Sequence, residues 1–327
     1  MSVLVFTEHD ADGAAGASLE ALTLAATLPD ARVEAVTAGR PGLHAAAQLA
    51  AYGADRVHAL EGELLDDYAP EAWGSALAQL VRATGPAALL APGSDRGNEV
   101  MAHAAARLDL PLATNCTALA PADGLAGDWQ LTRVRWGGIL LEDAELAAAT
   151  KLATVAPHTV SLEERPPADT PDVTPFVAEV DPGLARSRVR ERTTEAEGVS
   201  LATAPVVVAG GRGVGSAEGF EVLEQLAEKL GGAVGCSRVA TNNGWRPHAD
   251  QVGQTGTRVA PDLYIACGIS GATQHWVGCM SSKRILAINT DAEAPMVTRA
   301  DYAVIGDVHE VLPEVVARLR SRTAAPV

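Results

Sequence analysis

A chain of 327 residues exceeds the size at which one hydrophobic core is comfortable, so two domains of ordinary size are expected. Apolar residues make up 47% but aromatics only 4%, and this wealth of Ala, Leu, Val and Gly favours helix-on-sheet α/β packing over a sandwich or an aromatic-lined pocket. The net charge of −16 opposes binding to a phosphate backbone and keeps the chain soluble, so nucleic acid is not an expected partner.

The beginning of the chain has no basic region, and its apolar run over residues 3–6 is too short for a signal peptide. With no uninterrupted apolar stretch of about 18 residues, direct membrane insertion is not expected and a cytoplasmic location is. Short apolar runs then alternate with alanine-rich helical patterns. Residues 3–6 and 33–37 are expected as strands, with Ser18 capping a helix between them that carries Leu19, Leu22, Leu24 and Leu28. A helix over 42–52 leads to a strand at 56–60, and another over 70–84 leads to a strand at 87–90. Ser94 or Asp95 caps a fourth helix through Leu108.

This βαβα rhythm predicts right-handed crossovers and a mainly parallel sheet covered on both faces. Past residue 112 the pattern changes to apolar runs at 129–136, 139–141 and 151–155, which predict antiparallel strands appended to that sheet. Residues 156–200 are rich in proline and charge, as in Glu163-Glu164-Arg165-Pro166-Pro167 and the run over 186–197. They are expected to connect the domains, with a strand around 176–180. Domain limits of 1–200 and 201–327 follow.

The second domain opens with Pro205-Val206-Val207-Val208-Ala209, a fully apolar strand leading into Gly210-Gly211-Arg212-Gly213-Val214-Gly215. A helix is expected from Ser216 or Ala217 to Leu230, strands at 263–267, 285–288 and 302–305, and a closing helix over 308–319. Three polar, glycine-punctuated turns lie within this half. They are Gly235-Cys236-Ser237-Arg238, Gln251-Val252-Gly253-Gln254-Thr255-Gly256 and Gly268-Ile269-Ser270-Gly271-Ala272-Thr273-Gln274-His275. Each is expected where an apolar strand stops, the position at which open α/β sheets collect ligands, so the half reads as a cofactor site. The four cysteines, Cys116, Cys236, Cys267 and Cys279, form no Cys-x-x-Cys pair, so neither a metal site nor a disulfide framework is indicated.

Each motif has a bland reading beside the functional one. The turn over 210–215 suits a phosphate cradle, with Arg212 as a fixed charge beside the glycines, but it departs from G-x-G-x-x-G at Ser216 and lacks a P-loop ending, so it could equally be a tight turn. Arg238 follows a small-residue run; it is either a surface arginine or a cation whose planar face lies near a ligand. Thr255 either caps a turn or offers its hydroxyl beside open glycine backbone. Residues 270–275 open a helix whose N-terminal dipole favours negative charge, whereas a lone histidine is ordinarily a satisfied core or surface residue. Asn289 and Asp307, each at a strand end, are candidate ligands or ordinary turn formers, with Asp291 and Val308 beside them.

In this order and spacing, these segments resemble the α subunit of electron transfer flavoprotein, including FixB-like proteins. The match runs from Gly210-Gly211-Arg212-Gly213 through Ser237-Arg238, the turn over 251–256, Ala260-Pro261-Asp262-Leu263-Tyr264-Ile265-Ala266 and the turn over 268–275. It continues through Ala287-Ile288-Asn289, Asp291, Glu293-Ala294-Pro295, Ala300-Asp301-Tyr302 and Gly306-Asp307, about 110 residues without an evident gap. The first half is loosely similar, through Val3-Leu4-Val5-Phe6 and Glu8-His9-Asp10.

The resemblance implies two α/β domains. The N-terminal one is a mainly parallel sheet with added antiparallel strands, and the C-terminal one a doubly wound parallel sheet that binds FAD. It implies that Arg212 and Ser237 meet the diphosphate, Arg238 lies against the isoalloxazine, Thr255 bonds flavin N5 and His275 reaches the flavin C2=O. The backbone before Thr255, over Val252, Gly253 and Gln254, supports the ring. Ser270 and Gln274 lie nearer the ribityl and phosphate groups, with Gly271, Ala272 and Thr273 between them as further cofactor contacts, and Asn289 and Asp307 serve the adenosine end, with Asp291 and Val308 as lesser candidates beside them. A cation and a donated hydrogen bond at that ring favour its negatively charged forms, which suits one-electron transfer.

The resemblance further implies an electron carrier rather than a substrate-converting enzyme. It would be an obligate heterodimer whose β subunit docks on residues 1–200 and holds AMP or, in bifurcating members, a second FAD. Donors would be flavin dehydrogenases of the acyl-CoA type, as in fatty acid β-oxidation, and the acceptor a membrane quinone oxidoreductase or another acceptor. The chain departs from the family's usual pattern at Asn242, Thr257, Thr273, Trp276-Val277 and Thr290. These changes remove none of the proposed flavin contacts but alter the charge around them. Two alternatives fit less of the chain. A pyridine-nucleotide oxidoreductase needs an acidic residue about 20 positions beyond the glycine turn, where Lys229-Leu230-Gly231-Gly232-Ala233 has none. An adenine-nucleotide-binding regulatory module leaves Arg238, Thr255 and His275 without a joint task.

Overall fold

Val3, Leu4, Val5 and Phe6 are 0% exposed, which identifies the first strand, β1 (Ser2–Phe6), as a central one buried on both faces. It belongs to the first of two compact units, Met1–Arg192 and Thr193–Val327, of the computed structural model. The structure describes residues 1–9, 13–165, 171–190 and 200–323. Asp10, Pro166-Pro167 and most of the charged run over 186–197 therefore lie outside the described residues.

In the first unit, α1 (Gly16–Ala25), β2 (Arg32–Ala38), α2 (Ala46–Ala51), β3 (Arg56–Glu61), α3 (Pro70–Thr84), β4 (Ala88–Pro92) and α4 (Asp95–Leu108) follow β1. Then come β5 (Leu112–Pro121), β6 (Trp129–Arg135), β7 (Leu140–Leu146), β8 (Lys151–Val155) and β9 (Asp172–Val177). The nine strands lie in the order β7-β6-β5-β8-β4-β1-β2-β3-β9. Helix α1 covers one face through Leu19, Ala21, Leu22 and Ala25, while α3 and α4 cover the other through Trp73, Leu77, Leu80, Val100 and Met101. Burying such a side chain stabilises the fold by roughly 1.5–3 kcal/mol, so the two layers hold the sheet without aromatic bulk.

The alternating elements match the expected rhythm, with instructive differences. Ser18 does not cap α1, whose N-cap is Ala15; instead its hydroxyl accepts the Glu8 N–H at 2.8 Å and ties the end of β1 to the helix. Ser94 caps α4 by accepting the Gly97 N–H at 2.9 Å, so the choice between Ser94 and Asp95 falls to serine. Among the described strands, antiparallel pairing is confined to β5–β6 and β6–β7. The segment over 151–155 was expected in that antiparallel extension, but β8 inserts between β4 and β5 and runs parallel to both. Its five residues are all buried, the mark of an interior parallel strand, and Lys151 is 0% exposed because its ammonium donates to the Ala126 carbonyl at 2.8 Å. Strand β5 was not anticipated, and β9 begins earlier than expected and pairs parallel with β3.

The second unit comprises β10 (Val206–Gly210), α5 (Glu221–Leu230), β11 (Ala233–Cys236), α6 (Arg238–Asn242), β12 (Leu263–Cys267), α7 (Thr273–Cys279), β13 (Ile285–Asn289), α8 (Pro295–Arg299), β14 (Tyr302–Ile305) and α9 (Val308–Thr323). Its strands are all parallel, in the order β11-β10-β12-β13-β14. The helix expected from Ser216 or Ala217 begins later, as a 3-10 turn at Glu218–Phe220 precedes α5, and a separate 3-10 turn at Arg212–Val214 follows β10. On α5, Leu223, Leu226 and Ala227 are buried at helical spacing, and Gly231 ends the helix at φ 63°. Helices α5 and α9 cover one face of the sheet, and Val252, Ile269, Cys279 and Met296 cover the other. Because β10 pairs with β11 on one side and β12 on the other, the strand order reverses beside β10, and the carboxyl ends of β10 and β12 frame the crevice in which doubly wound sheets hold ligands.

Candidate FAD site

The five parallel strands of the second unit end at one edge, and the polar segments read from the sequence follow those ends. Arg212 comes after β10, Ser237-Arg238 after β11, Ser270 after β12 and Asp307 after β14, while Asn289 closes β13. At the crevice the backbones of two turns nearly touch: Gly213 donates to the Gly268 carbonyl at 3.0 Å and Gly211 to the Cys267 carbonyl at 2.9 Å. A Cβ on Gly268 would stand 2.6 Å from Gly213 Cα, and one on Gly211 would stand 2.5 Å from the Gly268 carbonyl oxygen. The glycines of the turn over 210–215 thus let one strand-end loop close upon another, and Arg212 projects exposed from it.

The turn over 251–256 does not follow a strand, contrary to expectation. It leaves a short 3-10 turn, His248–Asp250, and is held as a loop by bridges between Cys236 and Gln251 and between Val252 and Thr257. The reason is local: beyond a single bridge to the last residue of β11, the loop's backbone bonds run within the loop and to α7. Val252 donates to the Cys236 carbonyl at 2.9 Å and Gln254 to the Gln274 carbonyl at 2.7 Å. Gly253 has no room for a side chain, since its Cβ would meet the Gln274 oxygen at 2.9 Å.

The loop therefore links the end of β11 to the start of α7 and brings Arg238 and Thr255 to one cleft of about 390 Å³. Thr241, Asn242, His248 and Gln251 complete its lining. Gln251 organises it, donating from Nε2 to the Thr255 hydroxyl at 3.0 Å and accepting at Oε1 from the Thr241 hydroxyl at 2.8 Å. Thr241, His248 and the bracing role of Gln251 were not anticipated. Thr241 and His248 carry no motif of their own and reach the cleft only because the loop over 251–256 folds back upon α6.

Around this cleft Arg238, Gln254, Thr255, Ser270, Ala272, Thr273 and Gln274 are exposed, while Val252, Gly253 and Gly271 are buried. His275 is 7% exposed, in the first turn of α7 and behind the exposed row, outside the lining of the cleft. Burial lowers its pKa to about 4, so the imidazole is neutral at physiological pH. Its Nε2 lies 2.8 Å from the Tyr264 hydroxyl and its Nδ1 has no partner. Ser237 is 9% exposed and its hydroxyl is likewise unpartnered.

Buried polar atoms left without partners are uncommon in folded proteins, and at the edge of a crevice a bound ligand is one group that completes their hydrogen bonding. At the remaining strand ends, Asn289 donates to the Ile269 carbonyl at 3.0 Å and ties β13 to the third turn. Asp307 accepts the His309 N–H at 2.9 Å at the start of α9, with Val308 buried beneath. The order β10–α5–β11 is that of a dinucleotide fold, yet β11 ends in Cys236 with Ser237 following, where a pyridine-nucleotide enzyme carries a ribose-binding carboxylate. The residues present fit a flavin dinucleotide: a glycine-lined crevice at the switch point, two arginines, a row of exposed hydroxyls and amides, and two orphaned buried polar atoms behind them.

Comparison with known proteins agrees with this geometry. Residues 200–280 match the electron transfer flavoprotein FAD-binding domain, and residues 3–181 match the electron transfer flavoprotein domain. The chain is 32% identical to the electron transfer flavoprotein subunit alpha of Thermoanaerobacterium thermosaccharolyticum, over 97% of both chains. It is 38% identical to the mitochondrial subunit alpha of Oryza sativa subsp. indica, over 98% of this chain and 90% of that one. It is 35% identical to the subunit alpha of Mycobacterium leprae, over 98% of both. With an FAD-binding domain behind an α/β domain of the same family, the chain belongs to the electron transfer flavoprotein α-subunit family and carries electrons on FAD.

Proposed function

We propose that this chain is the FAD-holding half of a heterodimer. Residues 1–200 dock a β subunit that holds AMP or a second FAD, and residues 201–327 bind the redox-active FAD. Electrons come from flavin dehydrogenases of the acyl-CoA type and leave to a quinone oxidoreductase, and the chain converts no substrate of its own. The observation that carries this reading is the meeting of Arg238 and Thr255 in one cleft, with the unpartnered Ser237 hydroxyl and the unpartnered His275 Nδ1 on segments that follow β11 and β12. In the dimer the protein works in the cytoplasm; among the described residues no helix is long and apolar enough to cross a membrane.

When bound, FAD supplies reversible one- and two-electron chemistry. Arg212 and Ser237 hold the diphosphate, the arginine through charge and the serine through its free hydroxyl. Arg238 keeps a positive charge at any relevant pH and lays its planar group against the ring system, which favours added negative charge there. Thr255 orients a hydroxyl toward N5, its position set by the bond from Gln251. His275 presents a neutral N–H to C2=O, and Val252, Gly253, Gln254 and residues 270–274 shape the walls. Asn289, Asp307 and Val308 receive the adenosine end.

The test is the visible spectrum of the chain co-purified with its β subunit, followed by a reductive titration of wild type, Arg238→Ala and His275→Ala. A bound flavin is expected whose first reduction potential falls in each variant by roughly 60 mV or more, equivalent to tenfold for one electron. A colourless complex that does not take up added FAD refutes the reading.

A further inference from the structure

Alternation along β12 directs Tyr264 and Ala266 to the sheet face shared with Val252, Ile269 and Cys279, and Ile265 and Cys267 to the opposite face. Tyr264 is 0% exposed, and a phenol at such depth needs a partner for its hydroxyl. Its partner among the described residues is His275 Nε2, at 2.8 Å, with the two rings tilted at 53° and their centroids 6.2 Å apart. Each group keeps one hydrogen to share, because burial raises the phenol well above its ordinary value of 10 and leaves the imidazole neutral.

Two arrangements of those hydrogens are possible. If imidazole Nε2 donates, the phenol hydrogen is buried without an acceptor and Nδ1 is a buried lone pair without a donor, two unsatisfied groups. If the phenol donates to Nε2, the hydroxyl is satisfied and the imidazole hydrogen moves to Nδ1, which leaves one unsatisfied group in place of two. The Val252 backbone also lies against the ring and favours its protonated form, while Nδ1 has no partner that meets hydrogen-bond geometry. Leaving a buried donor or acceptor unmade costs more than an average hydrogen bond gains, so the second arrangement prevails.

We propose that Tyr264 is a positioning residue which, by donating to Nε2, fixes His275 as its Nδ1–H tautomer, so that the one imidazole N–H free for the flavin is the unpartnered Nδ1. This rests on the reading of His275 as a flavin contact; the hold of Tyr264 on the ring does not. Without the phenol, Nε2 would regain the proton and Nδ1 would turn a lone pair, an acceptor in place of a donor, toward the negatively charged flavin oxygen. The tautomer of a histidine is set by the bond its other nitrogen makes, and the partner supplying that bond here is eleven residues away on the strand beneath.

The experiment is ¹⁵N NMR of the histidine side chains in the full chain with its β subunit, stripped of FAD, with His275 assigned by loss of its signals in His275→Asn. Wild type is expected to show a protonated Nδ1 and an unprotonated Nε2 at neutral pH, and Tyr264→Phe a fall of at least fivefold in the Nδ1–H population. A wild-type ring protonated at Nε2, or a Tyr264→Phe ring unchanged from wild type, overturns the proposal; the wild-type spectrum decides the matter even if the variant does not fold. With FAD restored, Tyr264→Phe is expected to lose as large a share of the first reduction potential as His275→Ala. If the tautomer shifts as expected while neither variant moves the potential, the hold of Tyr264 on the ring stands and the assignment of His275 to the flavin fails.

Discussion

Glu20 shows how one buried carboxyl couples the fold to pH. It sits on α1 at 8% exposure, accepts the His158 N–H at 2.7 Å, and is pushed up to about 7 by burial. Because the folded value exceeds the unfolded 4.5, the folded state holds the extra proton between those limits. Its contribution is full below pH 4.5 and is lost as the pH rises to 7. Glu20→Gln removes that slope, so urea unfolding at pH 5 and pH 8 should show the variant gaining on wild type by up to about 3 kcal/mol at the higher pH. An equal difference at both pH values would refute the account. His275 has the opposite sign: its folded value of about 4 lies below the unfolded 6.5, so its contribution is lost as the pH falls through that window. Its motif made His275 a candidate site residue, whereas Tyr264 read only as an apolar strand residue, because nothing in a linear chain shows which side chain on a strand meets the helix that returns over it.

At the level of elements, the crevice depends on two loops being free of side chains where they meet. Gly268 has φ 61°, a left-handed conformation, as well as its close approach to Gly213. Gly268→Ala therefore adds backbone strain to a steric clash between two backbones, and a loss of roughly 2–4 kcal/mol in the stability of the second unit is expected, with weaker FAD retention. Thermal unfolding and bound-flavin content measure both, and an unaltered melting temperature would show that the loops can part. Among the elements, the fully apolar β10 and β12 and the amphipathic α5 were legible from periodicity, as were the hairpin strands β6 and β7. Strand β8 was legible as a strand but not in its partners, since a five-residue run carries no signal for which neighbours it will pair with. Helix α6 and the tie between the loop over 251–256 and α7 are too short for periodicity to register.

For the molecule as a whole, the first unit exposes an apolar tip on the β6–β7 hairpin. Trp136, Ile139, Leu140 and Leu141 are 79%, 59%, 52% and 70% exposed, and Trp136 is held at φ 53°, a costly conformation for a bulky residue. Exposed apolar side chains of this kind suit a partner that covers them, and the β subunit proposed to dock on the first unit would supply one. Leu141→Asp should weaken the heterodimer at least tenfold in sedimentation or titration while leaving the unfolding of the first unit intact; undiminished assembly would place the contact elsewhere. Composition and periodicity by themselves determined two α/β units, because helix and strand periods are local and the apolar faces they create can be buried only in layers. The spacing of the glycine turns, read as a family resemblance, determined the family and its FAD-binding domain, and it supplied the residues proposed for the flavin site. Tertiary structure decided what linear order cannot express: β8 between β4 and β5, Gln251 bracing Thr255, and Tyr264 beneath His275. Each is a pairing across the fold, set by strand order and by the return path of loops and helices over the sheet.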